Sequence, residues 1–266
     1  MSMDLVSLKI GGSLITRKDK EDFPLTINEI KKRALEFISI ENAERIAKEE
    51  VLPTLDKINL NVISIGVGPF GHNLVNKNID PEIVHESVSY YCSVVEKFLK
   101  KIGLPVEYDE KYSPRHTVFY DGEVPNVEKL AEWINEIQNN GKIALTHGDM
   151  TIDNKVVSGD QIIPYTAIKL NVNRIVSASD VDGLFAKDPK LHADAKFIPV
   201  VNSNEKLNII FEKRGIDVTG RLPKKVENFQ EAARHGISGC IVNGLKKNYL
   251  KNALLGKKTI GTLIVP

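Results

Sequence analysis

The sequence predicts an α/β protein whose largely parallel central sheet is covered by helices on both faces. Three observations predict it: apolar strands alternate with amphipathic helices, glycine-rich turns follow several strands, and no repeat or flexible linker interrupts the pattern. The chain has 266 residues, enough for one large α/β domain or two coupled lobes. We treat 1–266 as a single domain and place its only plausible lobe boundary near residue 170.

In the first half of the chain, apolar periodicity alternates between strand and helix spacing. Residues 17–30 are charged and contain Pro24, which predicts a mobile loop. Asn126 is expected to cap a helix that Gly141 closes. The other predicted elements are strands over 5–10, 60–65 and 142–146, and helices over 41–55 and 82–102.

The second half continues the alternation. A hairpin is predicted over 150–158, around Asp153 and Asn154, and a loop over 179–189. The remaining predicted elements are helices over 161–170, 224–236 and 247–254, and strands over 173–178, 238–243 and 259–264.

The bulk composition excludes several classes of protein. The net charge is +1, so nothing favours nucleic acid or an anionic membrane as a partner. The N-terminal residues lack the pattern of a signal peptide, and no run of 18 apolar residues could span a membrane. Cys92 and Cys240 are too few for a disulfide framework. We therefore expect a cytoplasmic protein.

Glycine-rich turns follow four predicted strands, at Gly11-Gly12, at 66–71, at Gly148 and at Gly183. Ligands of open α/β sheets bind at the carboxyl ends of strands, where glycines let backbone N–H groups approach a phosphate. No GxxxxGK[ST] motif occurs, which argues against a P-loop. GVGPFG matches GxGxxG in letters only, because Pro69 lacks a donor and no acidic residue follows at the expected strand end. The turns predict a phosphate site of another kind.

Lys9 is the most unusual single residue, because it lies within an apolar strand directly before Gly11-Gly12. Lysine is rarely buried without a partner. Lys9 either faces water on an edge strand or directs its charge at a transferring phosphoryl group.

Six motifs occur in order over nearly the whole chain: LKIGGSLIT, GPFGH, HGD, SGD, SDVDGLFAKDP and IDVTGRLPKK. Together they resemble the amino acid kinase superfamily and, within it, the isopentenyl phosphate kinases of the archaeal mevalonate route. The resemblance implies a three-layer αβα sandwich, with an acceptor-binding lobe over 1–170 and an ATP-binding lobe over 171–266. It also implies ATP with Mg²⁺ as the donor, isopentenyl phosphate as the acceptor, and a homodimer.

The resemblance also implies roles for individual residues. Lys9 and Lys18 stabilise the transferring phosphoryl group, His72 holds the acceptor phosphate, and Asp160 orients the lysines. Catalysis is thereby assigned to Lys9, Lys18, His72, Asp160 and Lys225, and substrate binding to Gly66, Val67, His72 and Gly159. Nucleotide binding is assigned to Lys9, Gly11, Gly12, Ser13, Gly68, Ser179, Asp180, Asp182, Gly183, Gly220, Arg221 and Lys225, with Asp188 in the tail of that loop.

The chain departs from the family pattern at four positions. Ile65 and Val67 replace a histidine and a glycine of the acceptor turn, Gln161 replaces a carboxylate, and Arg221 replaces a glycine. Because a β-branched residue resists positive φ, the turn at Val67 either keeps a negative φ or re-aims its backbone donors. These departures affect which acceptor is expected more than which reaction is expected.

Several of these residues have a simpler interpretation. His72 could cap its turn, Lys18 could be an ordinary solvated lysine, and Asp180 and Asp182 could form a plain Asx turn. His147 more often pins a loop, and His85 either lines the acceptor pocket or lies at the surface. The spacing of the other histidines predicts no structural metal site.

The leading function is phosphorylation of isopentenyl phosphate to isopentenyl diphosphate, with the apolar tail near Val84, Val88 and Tyr91. Alternatives within the class are a kinase of another phosphate or phosphonate, as in the fosfomycin kinases, and a carbamate or amino acid kinase. A non-catalytic nucleotide sensor and a hydride-transferring dehydrogenase are alternatives from other classes.

Overall fold

The computed structural model describes residues 3–17, 20, 22–207 and 221–266, without the side chains of 221–223. Within them the strands are β1 (Asp4–Ile10), β2 (Ile58–Ile65), β3 (Val106–Glu107), β4 (Phe119–Asp121), β5 (Val124–Asn126), β6 (Ile143–His147), β7 (Asp149–Met150), β8 (Val156–Val157), β9 (Arg174–Ser179), β10 (Leu184–Phe185), β11 (Phe197–Ile198), β12 (Val200–Asn202), β13 (Ser238–Asn243) and β14 (Gly261–Val265).

The helices of the same part of the chain are α1 (Gly12–Ile15), α2 (Ile27–Phe37), α3 (Ile40–Arg45), α4 (Pro69–Asn76), α5 (Pro81–Lys101), α6 (Pro114–Thr117), α7 (Glu128–Asn139), α8 (Gly159–Leu170), α9 (Arg221–Arg234) and α10 (Tyr249–Leu254). A π-helical turn (Ile46–Val51) and a 3₁₀ turn (Leu52–Thr54) extend α3, and a second 3₁₀ turn covers Glu110–Tyr112.

The described residues form an eight-stranded sheet in the order β12-β14-β13-β9-β1-β2-β6-β3. Every neighbouring pair in it is parallel except β13 with β14. β1 lies in the middle, and Lys9 is in register with Ser64 of β2 and Ser177 of β9. The predicted boundary near 170 precedes β9, whose strand pairs directly with β1. Both sides of that boundary therefore share one sheet.

Two apolar cores cover the two faces of this sheet. Leu8 and Ile63 face the core that includes Phe37 of α2 and Tyr91 of α5. Neighbouring strand residues point the opposite way, and Val62 faces the core of α7, α8 and α9. The predicted three-layer αβα sandwich is thus confirmed.

The predicted strands and helices are confirmed, with shifted ends and some additional elements. The helix expected over 41–55 changes to π and 3₁₀ geometry after Arg45. The loop expected over 17–30 is too long, because α2 already begins at Ile27; residues 18, 19 and 21 lie outside the described part. Asn126 ends β5, and its Oδ1 accepts a hydrogen bond from Glu128 N, while Val127 is the N-cap of α7. No helix among the described residues is long and apolar enough to cross a bilayer.

Candidate active site

A cavity of about 180 Å³ opens at the carboxyl ends of β1, β2, β6 and β9. The strand ends bring together residues that are far apart in the sequence, as expected for a parallel sheet. Of the predicted site residues, those that line it are Lys9, Gly11, Gly12, Ser13, Gly66, Val67, Gly68, His72, Gly159, Asp160 and Ser179.

Lys9, Asp160 and Lys225 form a charged cluster at this cavity. Lys9 Nζ lies 2.9 Å from Asp160 Oδ1, and Lys225 Nζ lies 3.6 Å from the same oxygen. Both lysines are buried, so Lys9 does not face water from an edge strand. Asn228 of α9 donates a hydrogen bond to the Asp160 carbonyl at 3.1 Å, which ties α9 to the first turn of α8. One carboxylate therefore fixes two cations contributed by β1 and α9.

The pKa values of Asp160 and Lys225 both lie below their usual values, for different reasons. Burial raises the pKa of Asp160, but the charges and hydrogen bonds of Lys9 and Lys225 outweigh it and leave a pKa of about 2. Burial, with a contribution from Lys9, lowers the pKa of Lys225 to about 8 even though Asp160 opposes the shift. At pH 7 the cluster thus carries a surplus of positive charge, which suits an anion.

The glycine turns after β1 and β2 pack against each other. A Cβ on Gly66 would lie 2.2 Å from Gly12 N, a distance that no backbone arrangement of this kind accommodates. Gly68 has a φ of +49°, and a Cβ there would lie 2.1 Å from Thr16 Oγ1. These positions need glycine for the contact between the two turns, in addition to any contact with a phosphate.

Val67 lines the cavity without the backbone strain that its side chain would suffer at positive φ. It is absent from the described non-glycine residues with positive φ, so the turn keeps a negative φ there. Its side chain is buried, and its Cγ2 lies 2.5 Å from where a Cβ on Gly71 would be. The turn therefore forms with a negative φ at Val67, which was the first of the two alternatives predicted for it.

His72 lines the cavity from α4, one turn after Gly68. Behind that turn, Tyr91 of α5 stacks on Phe70 with ring centroids 4.6 Å apart and donates a hydrogen bond to Gly66 O at 3.2 Å. Tyr91 is fully buried and does not line the cavity, which corrects its expected place beside an acceptor tail. Tyr91 therefore supports the 66–71 turn from the core.

The end of the cavity beside His72 is apolar. Val84 and Val88 of α5 line it as expected. Gly71 and Gly148 also line it, as their glycine turns predicted, and the residues that sequence reasoning missed are Val75, Asp149, Met150, Val156, Val157 and Ser158. Most of them belong to the β7–β8 hairpin, which was predicted, although nothing in its sequence marked it as a wall of the site.

The predicted nucleotide loop lies beside the glycine turn of β1. Ser13 Oγ donates a hydrogen bond to Asp180 Oδ1 at 3.0 Å, and Lys190 Nζ binds the other oxygen of Asp180. Asp182 Oδ1 accepts a hydrogen bond from Asn243, and Gly183 packs against Thr262. Asp180, Asp182 and Gly183 do not line the cavity itself, whereas Ser179 does. Asp180 is thus more than a local turn residue, because it links Ser13 to Lys190.

Lys18 and Gly220 lie outside the described residues, and of Arg221 only the backbone, at the start of α9, is described. Their predicted roles stay predictions.

Two of the residues that depart from the family pattern, Ile65 and Gln161, do not line the cavity. Ile65 is buried in the same core as Val84 and Val88. Gln161 forms a capping box with Ser158, and its Oε1 accepts a hydrogen bond from Ser158 N at 3.2 Å. An amide satisfies this cap as a carboxylate would. Ile65 therefore lies on the acceptor side of the sheet, as expected, but without lining the cavity, and Gln161 has a structural role.

The structure also locates His147 and His85, whose roles the sequence left open. The buried His147 donates from Nδ1 to Gly148 O at 3.0 Å and accepts at Nε2 from Tyr108 OH at 3.1 Å, so it pins a loop as predicted. Burial lowers the pKa of His147. His85 is neither at the surface nor in the cavity lining: it is 4% exposed and contacts Asp149. Among the described residues, no group of three histidines, cysteines or carboxylates could hold a metal ion.

The sandwich and its lysine-rich, glycine-lined cavity define a phosphate-binding α/β protein. The sequence profile of the amino acid kinase family matches residues 5–243, and the chain belongs to this family.

Two curated relatives are similar over nearly their whole length. The isopentenyl phosphate kinase of Methanothermobacter thermautotrophicus is 27% identical over 98% of both chains. That of Methanocaldococcus jannaschii is 26% identical over 95% of this chain and 96% of its own. A solved isopentenyl phosphate kinase structure matches with a TM-score of 0.77 at 25% identity, covering 98% of this chain and all of the other.

Proposed function

We propose that this chain is an ATP-dependent kinase that phosphorylates isopentenyl phosphate to isopentenyl diphosphate. The observation that carries the proposal is the pairing of Lys9 and Lys225 with Asp160, at the point where the glycine turns meet the apolar end of one cavity. A small acceptor with an anionic head and an apolar tail fits these surroundings. The whole-length similarity to isopentenyl phosphate kinases supports the same acceptor.

The reaction needs positioning and charge stabilisation more than covalent catalysis. An oxygen of the acceptor phosphate attacks the γ-phosphorus of ATP, the bond to the β–γ bridging oxygen breaks, and ADP leaves. Lys9 and Lys225 stabilise the charge that develops on the transferring oxygens, and Asp160 keeps both cations oriented. We assign Lys18 and the glycines at 11, 12 and 220 to the same phosphates.

A phosphate acceptor needs no strong general base. Its second pKa is about 6, so it is already nucleophilic at neutral pH. Asp160, with its pKa of about 2 and two lysine partners, is poorly suited to take a proton. His72 lines the acceptor end and would donate a hydrogen bond to the phosphate. Gly159, at the first turn of the twelve-residue helix α8, offers a helix N-terminus to the same anion.

Magnesium would enter as the counter-ion of the nucleotide. The described residues offer no ready cage of three ligands, and Mg²⁺ in kinases commonly binds substrate phosphates and water with few protein groups. Bound there, it would neutralise the β- and γ-phosphates. The cluster of lysines supplies the remaining positive charge.

The organisation of the protein is part of the proposal. The acceptor-binding lobe spans 1–170 and the ATP-binding lobe 171–266, although β1 contributes Lys9, Gly11, Gly12 and Ser13 to the nucleotide side. We propose a homodimer in the cytoplasm; Cys92 and Cys240 are buried free thiols, which supports a reducing compartment.

The experiment is release of ADP from Mg-ATP with a panel of acceptors: isopentenyl phosphate, dimethylallyl phosphate, fosfomycin, carbamate and glutamate. Phosphorus NMR of the product identifies a new diphosphate. We expect fast turnover with isopentenyl phosphate, slower turnover with its isomer and none with carbamate or glutamate.

Faster turnover with fosfomycin would favour the phosphonate alternative. ATP binding without turnover on the whole panel would favour a nucleotide sensor instead. Light scattering of the purified chain tests the dimer, and omission of Mg²⁺ tests the need for a divalent ion.

A further inference from the structure

A buried histidine–carboxylate pair supports the wall of the acceptor end of the cavity. His85 of α5 donates from Nδ1 to Asp149 Oδ2 at 2.8 Å. The Asp149 side chain is completely buried, and its Oδ1 accepts a hydrogen bond from Met150 N at 2.8 Å. Asp149 and Met150 line the cavity, whereas His85 lies directly behind them. The pair therefore acts on the site through its wall.

This wall leads straight to the reacting end of the cavity. In the β7–β8 hairpin, Asp149 pairs with Val157 and Met150 with Val156. Val157 and Val156 also line the cavity, and only Ser158 and Gly159 separate the hairpin from Asp160. A displacement of Asp149 would thus move the groups that surround the acceptor phosphate.

The charge of Asp149 poses a problem for an anionic acceptor. A buried carboxylate beside a phosphate is unfavourable unless a positive charge compensates it. His85 is the residue in direct contact that can supply this charge. Burial alone lowers the pKa of His85, but the hydrogen bond and charge of Asp149, with Glu110, raise it above its usual value.

Further charged and polar groups surround His85. Glu110 Oε1 lies 3.5 Å from Nε2, and Ser89 Oγ lies 3.5 Å from Nδ1. On α6, His116 packs edge-on against the His85 ring, and Arg115 opposes its charge while pairing with Glu82. His147, in β6, the half-buried Tyr108 and the buried Cys92 are further titratable neighbours of the pair. The two carboxylates that face His85 favour its protonated form.

We propose that protonated His85 is a positioning residue that neutralises Asp149 and thereby lets the wall of the cavity bind the anionic head of the acceptor. The proposal rests on the proposed function, because it concerns the affinity of the same cavity for a phosphate acceptor. A neutral His85 leaves the Asp149 carboxylate without this cationic partner. Affinity for the acceptor then falls, while affinity for ATP is unaffected.

The test is the dissociation constant of isopentenyl phosphate, measured by calorimetry from pH 7 to 10. A phosphate monoester is already dianionic over this range, so its own ionisation does not contribute. His85→Asn keeps a donor near the position of Nδ1 and cannot carry a charge. We expect it to weaken acceptor binding at pH 7 by about three- to tenfold and to flatten the pH dependence relative to the wild type.

Two further variants separate charge from structure. Asp149→Asn removes the carboxylate that needs compensation, so the pH dependence of acceptor binding should flatten in this variant as well. His235→Asn is the matched control, because His235 also neighbours a carboxylate, Glu231, but is exposed on α9. It should reproduce the wild-type profile. The ATP dissociation constant should be unchanged in all three.

A histidine NMR titration of the wild type gives a second readout, which does not depend on the affinity of any variant. Binding of isopentenyl phosphate should raise the pKa of His85, because coupling between two sites is reciprocal. Isopentenol, with the same tail and no charge, should not. The His85 signal is assigned from its shift in Asp149→Asn.

The outcomes distinguish this inference from the proposed function. A wild-type chain that binds no isopentenyl phosphate overturns both. A wild type that binds it, with an unchanged profile in His85→Asn or with no response of the His85 pKa to the phosphate, overturns the inference and leaves the proposed function standing.

Discussion

Lys9 Nζ lies 2.9 Å from Asp160 Oδ1, although the two residues are 151 positions apart in the chain and belong to β1 and α8. This contact joins the strand at the centre of the sheet to the first turn of the helix that covers it. Because Asp160 also binds Lys225 of α9, a single carboxylate connects three elements of the sandwich at the cavity.

We expect Lys9→Met to lower kcat by about 10²- to 10⁴-fold, since the lost charge acts mainly on the transition state. Methionine preserves the apolar stem, and Lys225 still pairs with Asp160, so the protein should stay folded. Steady-state kinetics and a thermal melt check both expectations. Lys169→Met is the control, because Lys169 is an exposed lysine of the same helix as Asp160. Turnover of Lys9→Met within twofold of the wild type would remove Lys9 from the catalytic cluster.

The pKa of about 8 at Lys225 predicts an alkaline limb in kcat/KM for ATP. This parameter reports the free enzyme, in which Lys225 is charged below pH 8 and neutral above it. Affinity for the nucleotide should therefore fall as the pH rises through 8. A pH profile of kcat/KM for ATP from 6 to 10, with the acceptor held well below its KM, measures it. Lys225→Arg, whose side chain stays protonated, should shift the limb to higher pH, and an unshifted limb would assign it to another group.

His72→Asn should raise the KM for isopentenyl phosphate about tenfold or more, with the KM for ATP within twofold, because the proposed function places His72, a residue of the cavity lining, at the acceptor phosphate. Initial-rate kinetics with each substrate varied in turn separate the two constants. His235→Asn, on the surface of α9, is the control. A selective rise in the KM for ATP would mean that the two ends of the cavity are assigned the wrong way round.

Gln161→Glu should leave both kcat and the thermal midpoint nearly unchanged, because either side chain completes the capping box with Ser158. Gln161→Ala should lower the free energy of unfolding by about 1 kcal/mol and leave the KM values alone. Denaturant unfolding and steady-state kinetics on both variants provide the measurement. A large gain or loss of kcat in Gln161→Glu would show that this side chain acts on the reaction.

Val67→Gly, which restores the family residue, should destabilise the protein by about 2–4 kcal/mol, because a buried side chain packed on Gly71 is lost. The backbone at 67 already has a negative φ, so the turn should form in either variant and kcat should change little. Chemical unfolding and turnover test the two parts independently. A collapse of kcat without loss of stability would assign Val67 a direct contact with the acceptor.

Local pattern was enough to predict most of the fold. Alternation of apolar strands and helices depends on residues close in sequence, and it correctly predicted β1, β2, α5 and β13. The pattern missed the short strands β3 and β12, because two or three residues carry no readable period. It also missed α2, whose first turn was hidden in a charged segment.

The residues of the site could likewise be predicted from the sequence where a motif marks them. Lys9, the glycine turns and the SGD sequence were found in this way, and the structure brings Lys9 and Asp160 together. Ile65 shows the limit: its place in a motif suggested the acceptor side, and it does lie in the core that includes Val84 and Val88, but its side chain is buried there and does not line the cavity.

The sequence by itself determined most of the long elements, that the chain is an α/β sandwich, and which charged residues and glycines stand at the strand ends. Only the tertiary structure decided that Lys9 and Lys225 share Asp160, that the β7–β8 hairpin walls the cavity, and that His85 lies behind Asp149. The physical reason is that secondary structure follows from neighbours along the chain. The partner of a buried charge depends instead on how helices pack over the sheet, and that packing joins residues that no local pattern connects.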